Sequence, residues 1–391
     1  MRRFRIAAGL AAFLLCLARP AWPLPARARA LFIGDIMAHK QQLEAAERKG
    51  ADGSRAWDFA PQFHRVKPLF TDALIVGNLE TTFAGGDRGY AGYPSFNTPD
   101  SLTDALKDLG IDLLTLANNH IFDRGASGAR RTVEVLNRAS IPWIGLGLDD
   151  IPPNDAILME KDGFRWAFVN YSYGSNRVLT SSDVHLNVIS EAAVASGLER
   201  ARALEPDVIV ACFHWGNEYH YSPSPRQRAA ADHALKHGAH LVIGTHPHVL
   251  QPVELREAED GSMRAIAWSL GNFVSFQRTL PRERTCILSA EFEREAEGEA
   301  ARLTRIAAAP LQVLLFPAPK GRRTEVVYAG MGGNFNHAGI SPAQLKKVRQ
   351  TGESVLDFLG AQEATDPYGF YTLWTEDAPQ TLPKPRRSSP Q

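Results

Sequence analysis

Cysteine is scarce in this sequence, and that scarcity excludes a disulfide framework and a cysteine-ligated zinc site. The 391 residues include only three cysteines, and no two of them form a Cys-x-x-Cys pair. Cys16 lies in an apolar N-terminal run, so Cys212 and Cys286 are the two that remain for a folded domain. Cys212 lies within a continuous apolar run, where we expect it to act as a small core side chain. Any metal site is therefore expected to use nitrogen and oxygen ligands.

The sequence also has no surplus of positively or negatively charged residues. The chain has 43 Lys and Arg against 43 Asp and Glu, so its formal net charge is zero. No basic surplus is available to meet a phosphate backbone, and we expect no nucleic-acid partner. The apolar share of 44% is ordinary for a globular protein, which excludes disorder of the whole chain.

Long apolar runs are missing beyond the first twenty residues, which excludes a polytopic membrane protein. The N-terminus itself is typical of a targeting segment, because Arg2, Arg3 and Arg5 precede an apolar stretch over 6–18. We interpret residues 1–28 as a signal peptide or an N-terminal anchor. Both interpretations predict an extracytoplasmic protein, in the periplasm or cell envelope, that is either secreted or anchored by this segment.

Four common functional motifs do not occur. There is no Gly-x-Ser-x-Gly, so an esterase elbow is not supported. The Gly-rich stretch 330–334 has neither the lysine of a P-loop nor the spacing of a dinucleotide fingerprint. His233 and His237 are four residues apart, but no glutamate follows His233, which favours a solvated helix face over a zinc site.

From about residue 30 onward, the sequence alternates between short β-rich runs and helical patterns, which predicts α/β layering. The predicted strands are 30–33, 73–76, 112–116, 164–171, 208–213, 241–243, 265–270 and 287–292. The predicted helices are 40–49, 100–109, 126–139, 191–204, 225–236 and 342–359. After residue 381 the chain is rich in proline and basic residues, and we expect a disordered tail there.

Residue types that bind metals follow five of these strands. Because polar residues at the carboxyl ends of strands converge on one crevice in α/β folds, we expect them to meet and to form a metal site. Carboxylate, amide and imidazole ligands suit Mn, Zn, Fe or Mg. Each residue alone would be unremarkable, since an Asp after Gly at a strand end is usually a turn or a helix cap. The candidate ligands are Asp35, Glu80, Asn119, His214, His246 and His248.

The tripeptide His246-Pro247-His248 has the most specific pattern among these candidates. Proline disfavours the helical region for the residue before it, so the tripeptide is predicted to be extended. Residues two apart in an extended segment point to the same side, which would turn both imidazoles toward the crevice. The alternative is a surface turn.

His120 and Asp123 are the candidate catalytic residues. His120 follows the candidate ligand Asn119 and could act as a general acid or as a clamp on the transferring group. Asp123 could orient His120 or cap the helix that follows. The alternative for Asn118 and Asn119 is a polar turn.

Six short motifs occur in order between residues 30 and 276. They are Gly34-Asp35-Ile36-Met37, Gly77-Asn78-Leu79-Glu80, Ala117-Asn118-Asn119-His120-Ile121-Phe122-Asp123-Arg124-Gly125, His214-Trp215-Gly216-Asn217-Glu218-Tyr219, Gly244-Thr245-His246-Pro247-His248 and Ser269-Leu270-Gly271-Asn272-Phe273. In their combination and order, these motifs resemble the CapA/PgsA family of poly-gamma-glutamate capsule biosynthesis proteins. That family is a branch related to the calcineurin-like metallophosphoesterases.

The resemblance implies a fold, a domain organisation and a cofactor. The fold would be a four-layer αββα sandwich of the metallophosphatase type over residues 29–340. Residues 341–391 would form a C-terminal helix and a disordered basic tail. Two divalent metal ions, Mn, Zn, Fe or Mg, would lie between the sheets. Carried over residue by residue, the implied ligands are Asp35 and His248 for one ion, Asn119, His214 and His246 for the other, and Glu80 as the bridging carboxylate.

Two positions depart from the wider phosphoesterase pattern. Met37 fills the slot where those enzymes commonly have a histidine ligand, and a thioether is a poor ligand for a hard divalent metal. Glu80 stands where an aspartate is usual.

Three functions follow from this pattern. The first is a metal-dependent hydrolase or transferase that acts on an anionic substrate in poly-gamma-glutamate capsule or exopolymer biosynthesis. The second is a non-catalytic accessory subunit of a membrane complex that synthesises or exports the polymer. The third is a metallophosphoesterase for nucleotides or phosphomonoesters, for which Arg124 is the visible phosphate-binding candidate. The expected partners are accordingly an anionic polymer or a small phosphate-containing substrate, together with a membrane synthase or export complex.

Overall fold

The computed structural model describes residues 26–50, 52–150, 154–177, 183–296, 298–318, 321–331, 338–361 and 365–377. Most of the predicted leader, most of the Gly-rich stretch and the whole basic tail after residue 381 therefore lie outside the described residues. None of the helices in the described ranges combines the length and the apolar character that a membrane span requires.

The described residues form nineteen strands and six α-helices. The strands are β1 (Ala26–Ile36), β2 (Glu47–Lys49), β3 (Arg55–Trp57), β4 (Leu74–Leu79), β5 (Leu113–Thr115), β6 (Trp143–Ile144), β7 (Leu146–Leu148), β8 (Ile157–Lys161), β9 (Phe164–Ser172), β10 (Val184–Leu186), β11 (Val208–His214), β12 (Leu241–Thr245), β13 (Val253–Glu257), β14 (Met263–Ala267), β15 (Asn272–Val274), β16 (Arg284–Arg294), β17 (Arg302–Pro317), β18 (Arg322–Tyr328) and β19 (Tyr371–Thr375). The helices are α1 (Lys40–Ala46), α2 (Leu102–Leu109), α3 (Gly125–Ala139), α4 (Glu191–Ala203), α5 (Pro225–Lys236) and α6 (Pro342–Leu359).

Two large sheets organise these strands. The larger sheet has the order β18-β17-β16-β1-β4-β5-β6, with β15 also paired to β1 and β19 to β17. The smaller sheet has the order β13-β14-β12-β11-β9-β8. Strands β1, β4, β5 and β6 run parallel, and so do β9, β11, β12 and β14. Each sheet therefore presents several strand carboxyl ends along one edge.

The two sheets pack face to face, and helices cover their outer faces. Alternate residues of β11 show this: Val210 and Cys212 lie in the core between the sheets, whereas Phe213 lies in the core beneath α4 and α5. Leu31 of β1 lies in a third core with residues of α2 and α3. The architecture is the predicted four-layer αββα sandwich. Burial raises the pKa of the Cys212 thiol to about 12, consistent with the predicted core role.

The C-terminal boundary differs from the prediction. Helix α6 begins and ends as expected, with Ser341 as its N-cap and Gly360 in the left-handed conformation after its last turn. Beyond it, however, β19 pairs with β17, and Trp374 is buried in the core between the sheets. The folded domain therefore extends past residue 340, to at least residue 377.

Two boundaries near the N-terminus also differ. Strand β1 begins at Ala26 and pairs with β16 from that residue, so it includes the last three residues assigned to the leader. The helix predicted over 40–49 ends at Ala46, because Glu47 turns to an extended conformation and pairs with Trp57 in a small hairpin.

The longest strand, β17, was not predicted. Its sequence includes Ala307-Ala308-Ala309-Pro310, and alanine and proline are both depleted in strands. The strand forms because β16 pairs along one side of it and β18 and β19 pair along the other. Tertiary pairing overrides local propensity here.

Candidate metal centre

The first candidate ligand, Asp35, is placed by a close approach of two backbone segments. A Cβ at Gly34 would lie 1.8 Å from the carbonyl oxygen of Gly271, so only glycine fits there. The same carbonyl accepts a hydrogen bond from the Asp35 backbone N–H at 2.9 Å. The register of β1 also shifts at this point, next to the parallel strand β15. These contacts fix Asp35 at the carboxyl end of β1.

Both carboxylate oxygens of Asp35 are engaged by other site residues. Asn78 donates its side-chain N–H to Oδ1 at 2.8 Å. His248 Nδ1 lies 3.1 Å from Oδ2, and the backbone N–H of His246 donates to the same oxygen at 3.4 Å. The larger sheet supplies Asp35 and Asn78, and the smaller sheet supplies the two histidines. The site therefore lies between the carboxyl ends of strands from both sheets.

Glu80 lies at the centre of the cluster and is completely buried. Its Oε1 atom lies 3.5 Å from His214 Nε2 and 4.0 Å from the Nε2 atoms of both His120 and His248. Neither carboxylate oxygen has a hydrogen-bond partner among the described residues. Burial, and then the neighbouring Asp35 carboxylate, hold the pKa of Glu80 well above its usual range. A cation bound at this position would offset both the burial of the Glu80 charge and its repulsion by Asp35.

His214 is held between the two sheets by contacts to both ring nitrogens. Its Nε2 atom lies 2.8 Å from Asn119 Oδ1, and its Nδ1 atom lies 3.0 Å from Thr245 Oγ1 and 3.3 Å from Asn78 Nδ2. The ring is fully buried, and this burial, with the histidines 246, 248 and 120 nearby, lowers the pKa of His214 well below its ordinary value. A neutral imidazole is the form that binds metals.

The conformation predicted for the tripeptide 246–248 is wrong. His246 has a φ of +95° and His248 a φ of +58°, so neither residue is extended. Both rings nevertheless face the cluster, and their centroids lie 5.8 Å apart. Residues other than glycine rarely adopt positive φ, and such strain is found at functional sites. Burial lowers the pKa of His246 to about 3, and its Nδ1 atom has no hydrogen-bond partner in the described part of the chain.

His120 and Asp123 are in direct contact at the edge of the cluster. His120 Nδ1 lies 2.8 Å from Asp123 Oδ2, which also accepts a backbone hydrogen bond from Phe96 at 2.7 Å. Helix α3 is capped at Arg124, without a side-chain capping bond. Of the two alternatives for Asp123, the geometry favours contact with His120 over capping. Phe96 also packs edge-on against the His120 ring, at a centroid distance of 4.8 Å.

Met37 and His39 lie in the segment that follows Asp35. Met37 is 2% exposed, and its carbonyl accepts a hydrogen bond from Gln42. His39 Nδ1 accepts a hydrogen bond from the backbone N–H of Phe276 at 3.2 Å, which places the proton of a neutral ring on Nε2. In this arrangement the Nε2–H of a neutral His39 ring is a hydrogen-bond donor toward its surroundings.

Several neighbours of the site were missed. Asn78 and Thr245 lie within quoted motifs, but they were not singled out because their neighbours Glu80 and His246 are stronger metal ligands. Tyr173 packs against His246 in a tilted arrangement, at 4.7 Å between ring centroids. It comes from the segment after β9, which carries no motif. Its position follows from the pairing of β9 with β11, which the sequence pattern does not specify.

Two overlapping groups of side chains have the ligand types that a divalent ion needs. The potential ligand atoms in each group lie within 4.8 Å of one another, and all of the residues are buried. The unpartnered oxygens of Glu80 and the unpartnered Nδ1 of His246 fit the same interpretation, since buried polar atoms are otherwise satisfied. The groups are Glu80 with His246 and His248, and Asp35 with Glu80 and His214.

Comparison with known proteins gives a family match over most of the chain. The profile of a family described as "Bacterial capsule synthesis protein PGA_cap" matches residues 29–277. The capsule biosynthesis protein CapA of Bacillus anthracis is 28% identical over 258 residues, which cover 62% of this chain and 58% of that protein. The PGA biosynthesis protein CapA of Bacillus subtilis is 28% identical over 260 residues, 63% of this chain and 62% of that protein. The chain thus spans less than two thirds of the length of these relatives.

A further relative and two solved structures are more distant. A protein of Mycobacterium tuberculosis named as a probable polyglutamine synthesis accessory protein is 26% identical over 217 residues, 51% of this chain and 56% of that protein. A hypothetical protein of Thermus thermophilus has a TM-score of 0.44 at 18% identity and covers 73% of this chain and 99% of that one. A 5′-nucleotidase of Candida albicans has a TM-score of 0.40 at 11% identity, over 67% and 47% of the two chains.

Proposed function

The chain belongs to the PGA_cap family of bacterial capsule synthesis proteins, and from this premise we propose that it is a metal-dependent hydrolase or transferase of capsule or exopolymer synthesis. The substrate we propose is an anionic polymer, poly-gamma-glutamate. One observation carries the proposal: the buried carboxylate of Glu80 has no hydrogen-bond partner among the described residues, and three imidazoles lie within 4.0 Å of it.

The names of the relatives support the polymer. Both CapA proteins are named for capsule or PGA biosynthesis. Because the matched regions are about 28% identical and leave parts of each protein unmatched, activity and substrate are proposed here for this chain.

We assign two divalent ions to the centre, of which Mn, Zn, Fe and Mg all suit the ligand types. Such ions supply Lewis acidity toward an anionic substrate. The proposed ligands are Asp35 and His248 for one ion, Asn119, His214 and His246 for the other, and Glu80 between them.

His120 is the residue that we assign to proton transfer. Its Nδ1–H donates to Asp123, which fixes the tautomer and leaves Nε2 facing the centre, 4.0 Å from Glu80 Oε1. A proton held at Nε2 is therefore positioned for delivery to a leaving group, as general acid catalysis requires. Asp123 is a positioning residue that orients the His120 ring.

The family and the N-terminal sequence support a proposed location. We propose that the mature domain works outside the cytoplasm, in the periplasm or cell envelope, with residues 1–28 acting as a signal peptide or anchor. A membrane synthase or export complex is the proposed partner, because an extracytoplasmic polymer must be handed over from its site of synthesis.

A non-catalytic accessory role is the second candidate. The observation that favours it is Met37, a thioether at the position where phosphoesterases place an imidazole. One distant relative is itself named as an accessory protein. In that role the metal would hold the fold or bind the carboxylates of the polymer.

The test is metal analysis of the purified chain together with two hydrolysis assays, one on poly-gamma-glutamate and one on a nitrophenyl phosphate ester. We expect divalent metal in the purified protein and cleavage of the polymer that stops when the metal is chelated. Glu80→Gln should lose both metal and activity, and the control His233→Ala on α5 should keep both.

Each contrary result has a separate meaning. A protein that binds metal but cleaves neither substrate would support the accessory role. Cleavage of the phosphate ester alone would support a phosphoesterase. A protein without divalent metal, even after incubation with Mn and Zn, would contradict the proposal and both alternatives that use the centre.

A further inference from the structure

The rim of the centre near His120 carries arginines that have no carboxylate partner within the described ranges. Arg88 donates to the carbonyl of Arg124 at 2.9 Å, and Arg124 donates to the carbonyls of Arg88 at 3.5 Å and Ser95 at 2.8 Å. Arg177 donates to the carbonyl of Asp123 at 3.1 Å. We call Arg88, Arg124 and Arg177 the first arginine group. Arg88 and Arg177 are exposed, and Arg124 is half-buried.

This group surrounds the backbone of the residue that orients His120. Asp123 holds the His120 ring through its carboxylate, while its carbonyl accepts hydrogen bonds from Arg177 and from Ser95 Oγ. The guanidinium of Arg177 therefore lies against the backbone of the residue that orients the proposed proton-transfer residue.

A second cationic group lies near His248. The guanidinium carbon of Arg282 lies 3.5 Å from the centroid of the Tyr219 ring, and that ring lies 6.0 Å from the ring of His248. Arg282 forms no ion pair in the described part of the chain. Arg278, in the same segment, pairs with Glu283 at 2.9 Å. The first arginine group therefore lies near His120, and Arg282 lies near His248.

Three exposed tyrosines also lie around the centre. Tyr93 is 72% exposed, Tyr173 is 46% exposed and Tyr219 is 37% exposed. Each of the three rings lies beside a histidine of the centre. The ring pairs are Tyr93 with His120 at 6.5 Å, Tyr173 with His246 at 4.7 Å and Tyr219 with His248 at 6.0 Å.

The chemistry of this rim selects a type of ligand. Guanidinium groups bind carboxylates through paired N–H donors, and exposed tyrosine faces can cover methylene groups. A ligand that satisfies both cationic groups must carry at least two anionic groups. A monomer with a single anionic group would satisfy only one of them.

We propose that the first arginine group and the Arg282–Tyr219 pair bind an extended polycarboxylate chain across the mouth of the centre, so that the centre meets an internal segment of the chain. The inference rests on the proposed function, because it takes the metal centre as the reacting site. It adds which residues select a polymer over a monomer.

One acidic residue on the rim should repel a polycarboxylate. Removing its charge should therefore strengthen binding, whereas removing an arginine should weaken it. Glu218 is exposed and contributes, after burial, to raising the pKa of Tyr173 and of Tyr219 to about 12 in each case. Its charge therefore lies among the tyrosines. Glu218→Gln should tighten the binding of a polycarboxylate.

The experiment measures binding of fluorescein-labelled oligo-gamma-glutamates, a dimer and a dodecamer, to the full chain by fluorescence anisotropy. We expect the dodecamer to bind at least about ten-fold more tightly than the dimer, and its affinity to fall with added salt. Arg177→Ala and Arg282→Ala should each weaken dodecamer binding about five-fold, and together about 25-fold. The matched control is Arg202→Ala on α4, whose guanidinium donates to the carbonyl of His237.

Several outcomes would overturn the inference. One is equal affinity for the dimer and the dodecamer, and another is unchanged affinity for the dodecamer after its carboxylates are methyl-esterified. A loss of dodecamer affinity in Arg202→Ala as large as in Arg177→Ala, or weaker dodecamer binding by Glu218→Gln, would also overturn it. If the protein holds metal and cleaves poly-gamma-glutamate but binds all lengths equally, the inference fails and the proposed function stands. If length-dependent binding occurs without cleavage, the inference stands and the catalytic function fails.

Discussion

At the residue scale, the chemistry of the centre follows from burying Glu80 among imidazole rings. A buried carboxylate beside Asp35 is costly without a compensating charge, and the neighbouring rings of His214 and His246 are kept neutral by burial, which lowers the pKa of each. Neutral imidazoles and unpaired carboxylates are together the ligand set of a divalent ion. The cluster is therefore expected to depend on metal for its electrostatic balance.

Two of the three histidines that the smaller sheet supplies, His214 and His246, should be needed for metal content. His214→Ala and His246→Ala each remove one imidazole, and we expect each variant to purify with less divalent metal while remaining folded. Elemental analysis and circular dichroism measure the two properties. The control is His233→Ala, whose imidazole contacts the carbonyl of Glu191 away from the centre. Wild-type metal occupancy in both site variants would refute their assignment as ligands.

Met37 should make the two metal sites unequal. The ion assigned to Asp35 and His248 lacks an imidazole at the Met37 position, so it should bind more weakly than its neighbour. Calorimetric titration of the metal-free protein should resolve two affinities, and Met37→His should tighten the weaker one. Two tight, equivalent sites in the unmodified chain would contradict this and would indicate that another residue completes the first site.

At the element scale, the site depends on strand ends held together by close backbone contacts. Gly34 shows this, because a side chain there would collide with the carbonyl of Gly271. Strand alternation and the residue types at strand ends were sufficient to predict that these side chains meet at the carboxyl ends of the strands. Their role as metal ligands stays a prediction. The left-handed conformations of His246 and His248 could not be predicted, because they depend on contacts with segments far away in the sequence.

Gly34→Ala should destabilise the fold and disturb the centre. Because the added methyl group meets backbone rather than a flexible side chain, we expect the free energy of unfolding to fall by about 2 kcal/mol or more, with loss of metal as Asp35 shifts. Urea denaturation measures the change. In the control Gly147→Ala the new Cβ would lie 3.7 Å from the Cβ of His185, so the change should stay within about 0.5 kcal/mol. Equal stability of the two variants would contradict this account of Gly34.

His240 should make the stability of the strand junction depend on pH. It lies just before β12, its Nδ1 accepts a hydrogen bond from the backbone of Ile209, and burial, assisted by Arg264 and opposed by Asp260, lowers its pKa to about 4. The unfolded chain, with a histidine pKa near 6.5, then binds the proton first as the pH falls. The contribution of His240 to the free energy of unfolding is therefore complete above pH 6.5. It is lost as the pH falls from 6.5 to 4, and the loss is on the order of 3 kcal/mol.

His240→Asn keeps a side-chain acceptor for Ile209 but cannot titrate. Its free energy of unfolding should therefore fall less steeply between pH 6.5 and 4 than that of the unmodified chain. Chemical denaturation across this range measures the slope, and His233→Asn is the control. An unchanged slope in His240→Asn would show that this histidine does not couple folding to protonation.

At the scale of the whole molecule, the αββα layers could be anticipated because each apolar strand and amphipathic helix has a recognisable period. Strands β17 and β19 of the larger sheet could not be anticipated. The sequence Ala307-Ala308-Ala309-Pro310 in β17 gives no local signal for a strand, and β19 lies in the segment that was predicted to be a terminal helix and tail. Arg177 and Arg282 also could not be predicted as neighbours of the centre, because neither belongs to one of the motifs. They reach the rim through long-range packing rather than through a motif.

The most direct test of the account is anomalous X-ray diffraction from crystals of the chain grown with manganese. We predict two anomalous peaks between the sheets, about 3.5–4 Å apart, as in two-metal sites. One peak should lie within coordination distance of Asp35 and His248, the other near Asn119, His214 and His246, with Glu80 between them. Crystals without an anomalous peak at this cluster, or with peaks only elsewhere on the protein, would contradict the assignment of a dinuclear metal centre.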